Sequence, residues 1–572
     1  MDQAAATPSR SRREDAGGED LMSRLPDCIL GEIVTRLPTA DAVRAQILST
    51  RWRDAWCAAP LNLDIDDGRY LYFYHRNYRR LFTGILAAHP GPARRLRFHF
   101  STSRADITAR LQNRWLWSPA LNGLEELEID HAIYDPIYIT PLPERALRFA
   151  ATLRVLRVGN RAIPAAAAAA ALRFPRLELV SFVGVEVSEA TLHGFLAGCR
   201  ALRTLVLKGC TGFAVVRINS PTIISFAVSA ADTSHQTPEV MMRQVVIEDA
   251  PLLEKLVPFR DWVSVTHESF ELRVVRAPRL RALGSLSKMT SRLQFGGTVF
   301  KMANRHVNLV TSDGVVREKR FLLQMQADTL PAALRTVRIL ALEDNVDCVG
   351  DVSNFLRCFP CLQKLYLSIS EEFRIAGGSY DKLNPIECLE RHLTMVAIYG
   401  YVGKRSHLKL ARFFVRNAWE LELMTFIRSR EWNHHYASDD TEEWIADQRR
   451  QLRVRNLASH RVKFHFVCDN SYRTVYCGRS KTYSWPPLGR DLISHHLSLF
   501  EKKKGWAPPQ PHGTAPAMDE DSDQPRAEAS ADAGGGEDLI SRLPDCILGE
   551  IITRLLFRYQ KNSELQEEAM IN

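Results

Sequence analysis

Between residues 93 and 398 one pattern keeps returning, L-x-x-L-x-L. It reads ARRLRF from 93, LEELEI from 124, LRVLRV from 153, LELVSF from 177, LRTLVL from 202, LRTVRI from 334, LQKLYL from 362 and LTMVAI from 393. Four successive starts, from 124 to 202, lie 29, 24 and 25 residues apart. The alternating apolar residues that end each unit fall on one face of a short strand. A single unit would leave that face wet, so units must be laid side by side to bury it, and a solenoid is the resulting architecture. A set of unrelated buried strands is the other reading of the same residues. The pattern weakens between 211 and 333, where RINSPTIISFAV, EDAPLLEKLV and RAPRLRALGSL look like irregular units marked by a proline.

Units of this length and spacing resemble leucine-rich repeats, each a short strand followed by a helix or irregular return. The resemblance implies that variable positions beside the strand leucines face the inner side of the solenoid. Here those positions include Arg95, Arg97, Arg157, Lys208, Arg338 and Lys364, against Glu126, Glu128 and Asp130 in the second unit. On that reading the inner face is mainly basic and favours an acidic or phosphorylated client segment. Solvated repeat positions with no selected ligand are the alternative.

A second feature is a duplication. GGEDLMSRLPDCILGEIVTRL at 17–37 returns as GGEDLISRLPDCILGEIITRL at 535–555, with only Met22/Ile540 and Val34/Ile552 different. Amphipathic helices tolerate many substitutions and would not converge on identical polar residues, so duplication is the simpler origin. After the first copy the chain continues PTADAVRAQILSTRWRDAW; after the second it reads LFRYQKNSELQEEAMIN.

Residues 25–56 read as three short helices. Pro26 suits a first helical position, Ile29, Leu30, Ile33, Val34 and Leu37 form one apolar face, and Pro38 stops the run. A second helix after Thr39 carries Val43, Ile47 and Leu48 on its apolar side. Ser49 caps a third, in which Trp52 and Trp56 lie one turn apart. Three helices in about forty residues cannot bury all their apolar faces among themselves, so a partner is implied; an ordinary helical hairpin with a local core is the bland reading.

LPDCILGEIVTRLP followed by VRAQILSTRWRDAW resembles the F-box of plant-type F-box proteins, which docks on a Skp-type adaptor linked to a cullin ubiquitin ligase. Carried over position by position, the docking residues are Leu25, Pro26, Ile29, Ile33, Leu37, Pro38, Val43, Leu48, Trp52 and Trp56. Ala45, Gln46 and Ile47 depart from the family's usual Ser or Thr before valine-leucine-serine. The second copy lacks counterparts of Val43, Leu48, Trp52 and Trp56, and is expected to be inert.

The segment 384–426 resembles the FBD domain that follows leucine-rich repeats in plant F-box proteins, through Ile386, Glu387, His392, Leu393, the strand into Gly400-Tyr401, and a helix carrying Leu408, Leu410, Ala411, Phe413, Phe414 and Leu421. Gly400 and Gly403 permit a tight turn, Ser406 is placed to cap the helix, and the helix covers the last strands. A further helix from about Thr441, with Asp440 and Glu443 at capping-box spacing, buries Trp444 and Ile445, and the strand HRVKFHFV comes next.

The fold expected is α/β: a disordered tail at 1–18, a small helical F-box at 19–60, a leucine-rich-repeat solenoid at 61–375, an FBD-like α/β cap at 376–480, a Pro-, Gly- and charge-rich linker at 501–536 and a truncated second F-box copy at 537–572. Composition agrees with large cores, at 45% hydrophobic over 572 residues. No run of eighteen apolar residues and no apolar signal region occur, so neither a membrane span nor secretion is indicated. Eleven scattered cysteines suit a reducing compartment, nucleus or cytoplasm. Cys358 and Cys361 form a lone CxxC without a second pair, so no metal is expected, and a net charge of +9 without a clustered run gives little support for nucleic acid.

No phosphate-cradling, dinucleotide, H-E-x-x-H or G-x-S-x-G motif is present, so neither a cofactor nor a catalytic residue is expected. The resemblance implies a non-catalytic, substrate-recruiting subunit of a Skp-cullin-F-box ubiquitin ligase. The alternative is a repeat scaffold that binds protein or nucleic acid without ubiquitin transfer.

Overall fold

The structure, a computed structural model, describes residues 25–37, 39–66, 83–87, 89, 93–100, 114–131, 140–164, 173–229, 240–258, 270–286, 290–311, 314–325, 332–343, 348–369, 373, 385–429, 441–452, 457–469, 474–477 and 480–483. The alanine run at 165–171, the tail at 1–18, the linker at 501–536, the second copy at 537–572, Pro38 and Asp440 lie outside them. The described chain falls into two compact units. Of the described residues, one holds 25–64 with 83–95, and the other holds 65–66 and 96–483.

The first unit contains the three expected helices, α1 (Asp27–Arg36), α2 (Thr39–Ala45) and α3 (Thr50–Ala58). Pro26 takes the N-cap rather than the first helical position: its ring fixes an extended entry, and its carbonyl accepts from the amides of Ile29 and Leu30 at 3.0 and 3.1 Å. Ser49 caps α3 as its type predicts, its hydroxyl accepting from Trp52 N at 3.5 Å.

The second unit is built on one long sheet. Its strands run in the order Ala93–Phe100, Glu126–His131, Val155–Gly159, Leu179–Val183, Thr204–Lys208, Ser225–Ser229, Lys255–Pro258, Ala282–Leu286, Ile339–Glu343, Lys364–Ser368, Met395–Tyr399, Leu423–Ser429 and Lys463–Asp469. From Glu126–His131 onward neighbouring strands are parallel. Register lines the leucines of the sequence pattern into one transverse row, Leu127, Leu156, Val180, Leu205, Phe226, Leu256, Leu283, Leu340, Leu365, Val396 and Met424. No member is more than 4% exposed. Each such side chain contributes about 1.5–3 kcal/mol of burial, so this row is the spine of the unit.

The turns leaving successive strands stack as well. Asn160, Gly184 and Gly209 all take left-handed backbone, at φ 52, 60 and 59. Each donates its amide to the end of the next repeat, reaching the carbonyls of Val183, Lys208 and Ser229 at 2.8, 2.7 and 3.3 Å. Asparagine and glycine are the residues that tolerate this conformation. Gly400 and Gly403 turn as expected, at φ 74 and 78, and a Cβ at Gly400 would run into the Ile369 carbonyl.

Two expectations need correction. Between 211 and 295 the return to the next repeat is a strand instead of a helix. Val215–Asn219, Gln244–Asp249, Phe270–Val274 and Thr290–Phe295 pair in parallel as a second sheet, which Thr298–Thr311 and Gly314–Met325 extend antiparallel. Alternation explains three of the four: Val216, Ile218, Leu272, Val274, Leu293 and Phe295 are buried and Arg217, Arg273 and Gln294 between them are not, while Gln244–Asp249 buries Val245, Val246 and Ile247 in a row. Pro221, Pro251 and Pro278 then stand between each outer strand and the next inner one, where they forbid a continuous helix or ladder.

The unit read from 334 is also out of register by three. The strand begins at Ile339 and its buried alternation is Leu340 and Leu342, paired with Leu365 and Leu367. Leu-x-x-Leu-x-Leu is therefore matched by Val337, Leu340 and Leu342. The apolar run from Leu334 to Leu342 fits the pattern at either start, and the short helix Ala332–Thr336 consumes the first. Arg338 thereby takes the place that Arg154 holds in its own repeat, each accepting two amides from the next strand.

The last repeats carry helices Glu387–Arg391, Arg405–Asn417 and Thr441–Leu452. Leu408, Leu410, Ala411, Phe413, Phe414 and Leu421 are all buried, as their spacing predicts. The cap of the middle helix is Lys404 rather than Ser406, and nearby His407, wholly buried, accepts the Val402 amide on Nδ1 at 3.2 Å. Tyr401 donates its hydroxyl to Gln448 Oε1 at 2.9 Å, fastening Thr441–Leu452 to the turn after Met395–Tyr399. Burial holds the Tyr401 phenol well above its ordinary pKa, so it remains a donor. Trp444 and Ile445 are half-buried; Gln448 and Leu452 fill the inner side of that helix instead.

Candidate functional site

The helical trio is where the sequence places a partner surface, and its packing decides which residues remain available. Leu25, Ile29, Leu30, Ile33 and Val34 from α1 and Trp52, Ala55 and Trp56 from α3 are each at most 9% exposed. Trp56 meets the His89 ring edge-on at 5.3 Å between centroids, and His89 Nε2 lies 2.9 Å from the Trp56 carbonyl oxygen. Arg51, on the first turn of α3, reaches back to α1: Nε and Nη2 lie 3.0 and 2.6 Å from Asp27 Oδ1, and Nη2 donates to the Leu25 carbonyl at 2.5 Å. Asn62 Nδ2 donates to the Thr35 carbonyl near the end of α1. These contacts fix the start of α1 against α3 and its end against the strand Leu61–Asp66.

The second helix is turned over relative to the sequence reading. Its inward residues are Ala42 and Ala45, 2% and 1% exposed. Small side chains let the helix approach closely, which leaves the larger ones on the other side. Val43 and Leu48 are half-exposed, and Ile47, in the turn after α2, is 70% exposed.

The ten residues inferred to dock an adaptor therefore separate. Leu25, Ile29, Ile33, Trp52 and Trp56 are buried within the trio, each at most 9% exposed, because an amphipathic helix in a small trio spends its apolar stripe on its neighbours first. Pro26 is exposed, Leu37, Val43 and Leu48 are half-exposed, and Pro38 is outside the described residues. Ile47, not among the ten, lies on the same exposed side, 70% exposed in the turn after α2. Its signal was present: a β-branched residue just past the small, buried Ala42 and Ala45 has no inner position left.

The side chains inferred to line the inner face of the solenoid can be placed by strand register. Register places Glu128, Arg157, Ser181, Val206, Ala227 and Val257 in one row, and Ala341, Tyr366, Ala397, Thr425 and His465 in another. These rows are small and apolar over most of their length, and Ser181, Val206, Ala227, Val257, Ala341, Tyr366 and Ala397 are at most 4% exposed. The charges gather at one end, where Arg97 Nε lies 3.1 Å and Arg157 Nη1 4.0 Å from the carboxylate of buried Glu128. Here two arginines flank one acid, which offsets one of their two positive charges. Lys208 is buried at 8% exposure, and Arg338 donates Nη1 to the Cys361 carbonyl at 3.0 Å. Arg95 and Lys364 are half-exposed. Tyr366, Ala341, Ala397 and Ile427 form an apolar cluster with Ile339, Met395 and Tyr399 packed on it.

The CxxC pair is spent on structure. Cys358 Sγ donates to the Asn354 carbonyl at 3.2 Å, and burial pushes its thiol up to about 12. Among the described residues no group of three His, Cys, Asp or Glu stands close enough to hold a metal ion, and no helix is long and apolar enough to cross a membrane.

Comparison with known proteins finds three family models along the chain. Residues 22–63 match the F-box domain model, residues 112–317 and 318–367 match the model for the leucine-rich repeats of FBD-associated F-box protein At5g56370, and residues 381–426 match the FBD model. The chain is 25% identical over 444 residues to FBD-associated F-box protein At5g38590 of Arabidopsis thaliana, covering 72% of this chain and 94% of that protein. It is 24% identical over 430 residues to putative F-box/FBD/LRR-repeat protein At5g22670 of Arabidopsis thaliana, covering 73% and 92%. A shorter match, 54% identical over 50 residues, joins it to F-box/FBD/LRR-repeat protein At5g22660 of the same plant, covering 9% and 11%. F-box and leucine-rich-repeat proteins are in general non-catalytic substrate adaptors of Skp-cullin-F-box ubiquitin ligases, their F-box binding a Skp-type adaptor. A helical trio, a ladder of leucine repeats and a helix-backed closing segment, in that order, make this chain a member of the plant-type F-box/FBD/leucine-rich-repeat family.

Proposed function

We propose that this chain recruits a client protein to a Skp-cullin-F-box ubiquitin ligase in the nucleus or cytoplasm, with the trio docking a Skp-type adaptor and the repeats holding the client. The observation that carries the reading is Ile47, 70% exposed and flanked by half-exposed Val43 and Leu48, on a unit whose own core is already filled by Trp52 and Trp56. Val43, Ile47 and Leu48 together offer an apolar patch on the outer side of α2 that another polypeptide can cover. Recruitment needs no acid, base or nucleophile in this subunit, because holding the client near the ligase raises its effective concentration.

Binding of a purified Skp-type adaptor tests this. Ile47→Asp is expected to weaken adaptor affinity at least about tenfold, or more than about 1.4 kcal/mol, while the circular dichroism of the chain is unchanged. Trp52→Ala also abolishes binding, but by unfolding the trio. Unaltered adaptor affinity in Ile47→Asp, with the trio intact, would overturn the proposed docking face, and no adaptor binding by the unaltered chain would favour a scaffold without ubiquitin transfer.

A further inference from the structure

The chain writes α1 twice, and the packing of α1 shows what the second writing matches. Of the α1 side chains buried in the first unit, Leu25, Ile29, Leu30 and Ile33 recur unchanged as Leu543, Ile547, Leu548 and Ile551, and Val34 recurs as Ile552. The polar ties recur too. Asp27, held by Arg51, is matched by Asp545. Pro26, whose carbonyl takes the first two helical amides, is matched by Pro544. Thr35, whose carbonyl takes Asn62, is matched by Thr553. The ties at Pro26 and Thr35 use backbone carbonyls that any helical segment supplies, whereas the carboxylate of Asp27, repeated at Asp545, is one that a generic amphipathic segment would lack.

Residues 556–572 diverge from those that follow the first copy. Beyond Leu555 no tryptophan occurs, so nothing there stands in for Trp52 and Trp56. Among the described residues, the face of α2 and α3 that α1 covers is shaped for these residues. We infer that residues 543–555 are an alternative occupant of the α1 seat, able to replace α1 within a single chain. The proposal concerns the folding of the trio and stands whether or not the trio docks an adaptor.

Reach and balance are both favourable. Residues 484–542, if extended, span about 200 Å, which exceeds the dimensions of a domain of this size. The difference between occupants inside the seat is one methylene, Val34 against Ile552, at a position 4% exposed. Connection decides the resting state: α1 ends two residues before α2 begins, so its effective concentration at the seat exceeds that of a segment tethered through a long linker. The first copy holds the seat while it is intact, and the second takes it when α1 is damaged or drawn away. The second copy, expected to be inert as a separate F-box, is on this reading a spare for one helix.

Hydrogen exchange of the amides over residues 39–58, measured by mass spectrometry on the full chain, tests the replacement directly. Ile33→Asp, which removes α1 from its seat, is expected to leave these amides protected, because the second copy takes over. Ile33→Asp with Ile551→Asp is expected to lose protection by roughly tenfold or more, and Ile551→Asp alone to change nothing. Loss in Ile33→Asp as complete as in the double variant overturns the proposal, and so does retained protection in the double variant. Rescue that grows with protein concentration places the occupant on a second molecule and overturns replacement within one chain. As a control on folding, a peptide of residues 539–557 added to the Ile33→Asp chain lacking 535–572 is expected to restore protection saturably; failure to do so overturns the fit.

Discussion

Two stretches of the second unit bury the same row of side chains by different means. Over 339–429 each inner strand is backed by a helix, with Val349–Cys358, Glu387–Arg391 and Arg405–Asn417 laid behind Leu340, Leu365, Val396 and Met424. Over 204–295 the backing is a second parallel sheet, and Phe226 and Leu256 are covered by rows of Val, Ile, Leu and Phe from the outer strands. The inner row does not notice the change, since its members are equally buried in both. What differs is the sequence that returns: β-branched alternation and a proline at the corner give a strand, and a 3.6-residue apolar period gives a helix. The backing layer is thus interchangeable as long as it supplies an apolar face.

Truncation of matched core residues tests this equivalence. Phe226→Ala, in the strand-backed stretch, is expected to cost about 4 kcal/mol, and Leu365→Ala, in the helix-backed stretch, about 3 kcal/mol, read from chemical denaturation. A Phe226→Ala chain as stable as the unaltered one would mean that the two sheets collapse onto each other, and the equivalence of the two backings would fail.

A smaller effect probes the helix-backed end alone. Tyr401→Phe removes the hydroxyl held by Gln448 and leaves a buried amide oxygen without its donor, at a cost of about 1–2 kcal/mol. Exchange over 441–452 is expected to rise while exchange over 244–295 stays constant. Equal acceleration in both would mean that the stretches unfold as one.

The smallest effect concerns the two surfaces. Arg217 pairs with Glu248 at 3.4 Å on the outer sheet, and Arg154 pairs with Glu178 at 3.0 Å between two inner strands. All four side chains are more than 40% exposed, so Arg217→Ala and Arg154→Ala are each expected to change stability by less than about 0.5 kcal/mol. A loss beyond about 1 kcal/mol in one alone, by thermal melting, would show that the backing layer does alter its neighbours.

The inner ladder was legible in the sequence wherever the pattern had a single solution. Units starting at 124, 153, 177, 202, 362 and 393 all place their last leucines where the sheet buries them. At 334 the apolar residues satisfied two registers, and only the pairing of Ile339 with Lys364 chose between them. The second sheet was hidden because single short alternations such as FELRV become informative only when several are stacked. Of the trio, the three helices and the Ser49 cap were readable. The facing of α2 was not, since periodicity alone ranks Val43 above Ala42, whereas close packing prefers the alanine. His89 against Trp56 and Glu128 between Arg97 and Arg157 were beyond reach, because contacts across 33 or 29 to 31 residues leave no local trace.

The left-handed turns at Asn160, Gly184 and Gly209 have a bearing on how the chain is made. Each of their amides finds its acceptor one repeat further along, so no repeat in this run is finished when its own residues have been synthesised. On a ribosome, a repeat would wait for about 25 more residues to emerge before its closing bond could form. Assembly of this run then trails synthesis by one repeat, and a stall between Gly184 and Ser229 would strand a half-closed edge in the cell.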